Sequence, residues 1–320
     1  MIEICKMNNL LIKISSILFI SLVLLFNSTQ AAEKVVMLKP FTLAKIYKNA
    51  KHLDVAENVK SQLTRAGFKL VGTYQPYKTT KIYIVTNNTI LKAAAKTKFG
   101  GFGAALRVSV TQTKNDVQVV HNNPTYIGIA YNMKSYLSST RQKLAKTLGY
   151  VKDFGGKGIP SNELGDYNYA FGLEGFSGFM DLAKHKSYKT AINKVEAGFR
   201  KNFKNMQKVY RIDIPGKKQT IFGVSLMSDI TDQKFLNDEF VMNIIDSKEL
   251  RRSAHLPYEI MVDGDRVFTM HPHFRLAINF PDLRMFGKNS FGQLMDLPYI
   301  YEEFLIQLAG GVWPIPEDEY

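Results

Sequence analysis

Cysteine is nearly missing from this 320-residue chain, which has only Cys5. One thiol cannot form an internal disulfide, a multi-thiolate zinc site or an iron–sulfur cluster. Motifs of nucleophilic and nucleotide chemistry are missing too. There is no G-x-S-x-G, no H-E-x-x-H, no G-x-x-x-x-G-K-[ST], and no G-x-G-x-x-G after a strand pattern. GFSG at Gly175–Gly178 lacks the spacing of a hydrolase elbow. No catalytic motif is recognisable, and a non-enzymatic role is the expectation. After Phe26 no run is long and apolar enough to span a bilayer, so a processed chain is expected to be soluble.

Acidic residues are scarce in one half only. Residues 32–150 hold 19 Lys and Arg against 4 Asp and Glu, a net of +15. Residues 151–320 hold 21 against 23, a net of −2. A basic surface of that size attracts a small anionic ligand, an acidic envelope partner or a membrane surface. Lysine outnumbers arginine sixteen to three there, which argues against bidentate recognition. Export would make nucleic acid an unexpected partner.

The N-terminus reads as an export signal. Lys6 and Lys13 precede the apolar run Ile14–Phe26, and Thr29 and Ala31 suit a signal-peptidase site. The run would make roughly 20 Å of helix, against about 30 Å for a bilayer core. A periplasmic location is the expectation.

Two stretches read like copies of one unit. Leu106–Met133 is LRVSVTQTKNDVQVVHNNPTYIGIAYNM, and Leu256–Leu283 is LPYEIMVDGDRVFTMHPHFRLAINFPDL. Each suggests strand, polar turn, strand, His, Pro, strand, and Leu106–His121 matches Leu256–His271 in length. Val55, Val59 and Leu63 recur at near-helical spacing, as do Ile192, Val195 and Phe199. The fold class expected is α+β: two similar lobes from an internal duplication, each a small antiparallel-rich sheet with packed helices. The organisation expected is a signal peptide over 1–31, a basic lobe over 32–150, a connector over 151–187, a second lobe over 188–310, and a tail over 311–320. Lys152–Lys186 carries seven glycines and six Phe or Tyr. Its aromatics suit either interface packing or a lid over a cleft. FGGFG at Phe99–Gly103 reads as a flexible joint.

His271 and His273 form an H-x-H pair at the start of the third strand pattern. Alternation would place them on one face with Arg275. That face could hold an anion, with His121 as the counterpart in the first copy. The two histidines are also candidate metal ligands, and with Met261, Met270, Met285 and His255 nearby, copper or haem is a possible guest. Arg275 could instead be held by Asp282 or Glu259. An inter-lobe site covered by the connector is the leading reading. A metal- or haem-binding redox protein and an envelope docking protein are the alternatives.

Leu53–Met133, with GFKLVG and LRVSVTQTKNDVQVVHNNP, resembles the bacterial family known as domain of unknown function 302. Lys189–Phe280 resembles it more loosely, with Asn202–Phe203 where G-F should stand. The resemblance implies a small α+β domain, and a tandem copy that mimics a dimer within one chain. It implies no reaction.

Overall fold

The computed structural model describes residues 35–170, 172–202, 205–229 and 231–312. The signal peptide expected over 1–31 and most of the tail expected over 311–320 lie outside the described residues.

The chain alternates hairpins with amphipathic helices. Strand β1 (Met37–Leu38) leads to β2 (Phe41–Lys48), helix α1 (His52–Arg65), β3 (Lys69–Tyr77), β4 (Thr80–Thr86) and α2 (Asn88–Ala94). Strands β5 (Leu106–Gln112) and β6 (Asp116–Asn122) follow, then α3 (Pro124–Ala130), α4 (Ser138–Leu148) and short strands β7 (Lys152–Phe154) and β8 (Ile159–Pro160). The second half runs β9 (Phe179–Lys184), α5 (Tyr188–Arg200), β10 (Met206–Asp213), β11 (Gln219–Leu226) and α6 (Asp238–Ile245). It closes with β12 (Tyr258–Asp263), β13 (Arg266–Met270), α7 (Pro272–Asn279) and α8 (Leu297–Ala309). The fold is α+β with antiparallel sheets.

One sheet is ordered β3-β4-β5-β6-β2-β7 and the other β10-β11-β12-β13-β9. The five strands β3-β4-β5-β6-β2 follow the same element order as β10-β11-β12-β13-β9. The register recurs too: Val110 faces Val119, and 150 residues later Ile260 faces Thr269. In α1 the apolar spacing buries Val55, Ala56, Val59 and Leu63 on one face, while the Tyr83 hydroxyl donates to the Ala56 carbonyl at 2.9 Å. Burying each such aliphatic side chain stabilises by about 1.5–3 kcal/mol. No described helix is long and apolar enough to cross a membrane.

Everything described from Met37 onward forms one compact unit. The edge strands β3 and β10 meet so closely that a Cβ on Gly72 would lie 2.5 Å from the Val209 carbonyl oxygen. Further along the junction, Tyr126 donates to the Ile278 carbonyl at 2.6 Å and Asn122 to that of Ala254 at 3.0 Å.

Three local expectations are corrected. The third strand expected after each hairpin is a helix, α3 or α7. Proline at the first helical turn needs no N–H donor, and Asn123 and His271 cap the two starts. Phe99–Gly103 is not a loose joint: Gly100–Gly103 is a buried 3-10 turn, and a Cβ on Gly103 would meet the Met133 sulfur at 2.3 Å. Finally, β2 and β9 precede the first helix of each half. They complete the sheets by pairing with β6 and β13.

Candidate metal centre

His271 follows β13 directly and caps α7; its Nδ1 accepts from the His273 backbone N–H at 3.3 Å. His273 follows Pro272 in the first turn. The pair is therefore presented by a helix start and not by strand alternation. The imidazoles still lie side by side, ring centroids 4.9 Å apart.

A third donor comes from the connector. Glu174 Oε2 lies 3.2 Å from His271 Nδ1 and 3.4 Å from His273 Nδ1. The three side chains bring their ligand atoms within 4.8 Å of one another. The backbone conformation that carries Glu174 needs glycines. Gly172 has φ +84°, and a Cβ on Gly178 would sit 2.8 Å from the Glu174 Cβ. Phe176 anchors the same loop in an aromatic cluster, with Phe179 at 5.7 Å, Phe274 at 5.8 Å and Tyr131 at 6.2 Å. Tyr169 stacks on Phe291 at 4.8 Å, and Phe291 lies 5.3 Å from His273.

The protonation pattern follows from the partners. His273 Nε2 lies 3.1 Å from the Met295 carbonyl, which can only accept, so Nε2 carries the proton. In the neutral ring Nδ1 is then a bare lone pair. It is buried without a hydrogen-bond partner, and so is Glu174 Oε2. Burial pushes the His271 imidazole down to about 4, offset in part by the Glu174 carboxylate and reinforced by His273. That ring is neutral at physiological pH. Glu174 Oε2 and the His273 Nδ1 lone pair thus face each other with no donor between them. A cation resolves that conflict, because a buried acceptor without a donor costs about 1–3 kcal/mol.

The spacing suits a metal ion. Ligands at about 2.0–2.1 Å around tetrahedral zinc lie about 3.3 Å apart, which matches the distance from Glu174 Oε2 to His273 Nδ1; His271 Nδ1, at 3.2 Å from the same oxygen, would exchange the His273 N–H for the ion. Two imidazoles and a carboxylate also suit other divalent first-row ions. The Met295 carbonyl on the far nitrogen of His273 supplies the outer hydrogen bond that usually orients a ligating histidine. The positive end of the α7 dipole disfavours a cation there, and the Glu174 charge offsets it.

The other sequence candidates lie elsewhere. Arg275 points into the junction of the halves. Its Nε donates to Glu259 at 3.0 Å and its Nη2 to the His255 carbonyl at 2.7 Å. Arg107 pairs with the same Glu259, and all three side chains are buried. Asp282 holds Arg252 at 2.6 Å and Lys248 instead. His121 is buried in β6, its Nδ1 2.7 Å from the Asn122 carbonyl, with burial depressing it to about 4. Met261 and Met270 are core residues. The connector does line a cavity of about 780 Å³, with Lys157, Glu163, Asp166, Tyr167 and Asp282 on its walls. His271–Arg275 do not line it.

A second buried acid stands apart. Asp238 accepts from the Tyr74 hydroxyl at 2.5 Å and the Leu226 N–H at 3.1 Å. Burial dominates and pushes it up to about 7. The folded state therefore holds this proton more tightly than the unfolded chain. The stability it contributes is full below pH ~4 and is lost as pH rises through about 7, on the order of a few kcal/mol. Asp238→Asn should remove that slope. Urea midpoints of both proteins at pH 5 and pH 8 test it: the difference between them should move toward the variant at pH 8. Equal slopes would refute the assignment.

Glu174 was not found by sequence reading. It lies 97 positions before His271, and nothing sets it apart from the other four carboxylates of the glycine-rich connector. Comparison with family models, with curated proteins and with solved structures returned no match.

Proposed function

We propose that this protein is a non-enzymatic accessory protein that binds a divalent first-row transition metal ion through Glu174, His271 and His273. Zinc is the ion that best fits the spacing. The observation that carries the reading is the pair of buried acceptors, His273 Nδ1 and Glu174 Oε2, facing each other with no donor between them. Three protein ligands leave a fourth tetrahedral position open, so exchange or delivery of the ion suits the site better than a closed structural role.

The reading places the protein outside the cytoplasm, supported by the apolar run Ile14–Phe26 behind Lys6 and Lys13. It also takes the two halves as tandem copies resembling the domain-of-unknown-function family, supported by their common element order. One copy alone then carries the histidine ligands, and the connector adds Glu174. His271 has a capping asparagine, Asn123, as its structural counterpart in the first half.

The full chain, stripped with a chelator and titrated calorimetrically with zinc, should take up one ion. Glu174→Gln and His273→Ala should each weaken binding by roughly 100-fold or more, as loss of one of three ligands requires. His52→Gln, whose ring bonds the Val110 carbonyl in the first half, should change nothing. Absence of stoichiometric uptake, or full affinity in Glu174→Gln, would refute the site.

A further inference from the structure

A second site lies in the basic half, far along the chain from the metal ligands. A cavity of about 300 Å³ opens between the starts of α4 and α2. Its walls carry Lys69, Asn88, Thr89, Ser139, Thr140 and Lys143, and no carboxylate. Neither Lys69 nor Lys143 forms an ion pair among the described residues.

Helix α4 begins without a side-chain cap and has no acidic residue in its first turn. Its first N–H groups are therefore left for another acceptor, and the helix dipole favours a negative one. A helix start alone would not define a site. The independent observation is Thr140, a 2%-exposed residue of the cavity wall whose buried hydroxyl has no hydrogen-bond partner. A buried hydroxyl without a partner costs free energy that a bound acceptor would recover.

The occupant must therefore accept several hydrogen bonds, carry negative charge and fit a small polar cavity. Uncapped amides, hydroxyls and two lysines suit a tetrahedral oxyanion. We propose that this cavity binds a phosphate group, either free inorganic phosphate or the phosphomonoester headgroup of a lipid. The site gives the net +15 of residues 32–150 a defined focus.

Calorimetry of the full chain with inorganic phosphate at low ionic strength tests the site. Saturable binding is expected. Lys69→Ala with Lys143→Ala should weaken it by about tenfold per lysine, and Thr140→Val should weaken it without removing charge. Lys48→Ala with Lys114→Ala removes the same charge elsewhere and should leave it intact. No saturable binding, or equal loss in both double variants, would overturn the proposal. Vesicles containing phosphatidic acid separate the two sources. Vesicle binding that phosphate displaces and the site variant abolishes assigns the headgroup, whereas phosphate binding without vesicle binding assigns the free ion. Vesicle binding insensitive to both would count against the site.

Discussion

Replacing Glu259 by alanine should destabilise the protein by about 3–5 kcal/mol, enough to unfold a marginal domain. Arg107 from β5 and Arg275 from α7 share this one carboxylate, and all three side chains are buried. Removing the acid leaves two buried guanidinium groups without the carboxylate they share. Backbone carbonyls remain for both, at Pro257 for Arg107 and at His255 and Pro257 for Arg275. They accept hydrogen bonds but carry no net charge. Burial already pushes the Arg107 guanidinium down, and losing its counter-charge adds to that cost. The exposed pair Arg211–Glu196 is the contrast: Glu196→Ala should cost under about 1 kcal/mol, because water screens both charges. Chemical denaturation of the two variants checks this. Glu259→Gln keeps the shape and covers the case in which the alanine variant does not fold. A cost for both Glu259 variants as small as that of Glu196→Ala would show that the junction does not depend on the charge cluster.

Gly198→Ala should be destabilising by at least about 1–3 kcal/mol, although alanine is the better helix former. Helix propensity favours the substitution by about 1 kcal/mol. Against that, α5 crosses α8 so closely that the new Cβ would lie 2.0 Å from the Leu308 backbone oxygen and 2.9 Å from its carbon. The obstacle is backbone and cannot rotate aside. The helices must separate, and overpacking of a filled core costs more than the propensity gain. Gly216→Ala is the comparison: nothing stands within 4 Å of its Cβ, but φ is +74°, so its cost is conformational only. Thermal unfolding of both variants distinguishes the mechanisms. A Gly198→Ala protein more stable than the parent would mean that α5 and α8 do not pack this closely.

Some of this was legible in the residues. The matched hairpins 150 positions apart gave the strands β5, β6, β12 and β13, because period-two burial and polar turns are local signals. The segments after them misled. Pro124 and Pro272 look like strand or turn punctuation, yet proline also opens helices, and YIGIA and FRLAIN are too short for a clear period. The position of His271 and His273 at a helix start follows from the same ambiguity. Arg275 illustrates a different limit. Sequence offered two acids for it, and only tertiary packing decides for Glu259 over Asp282. Glu174 could not be placed at all, because its approach to the histidines depends on Phe176 packing and on glycines that let the loop turn back.

The most direct test of the metal centre is zinc K-edge X-ray absorption on the full chain loaded with one equivalent of zinc. Two imidazoles and one carboxylate predict a first shell of nitrogen and oxygen at about 2.0–2.1 Å, with outer-shell scattering from two histidine rings. In the His271→Ala, His273→Ala double variant the imidazole scattering should vanish. A wild-type spectrum without histidine scattering, or one that the double variant leaves unchanged, would contradict a centre built from Glu174, His271 and His273.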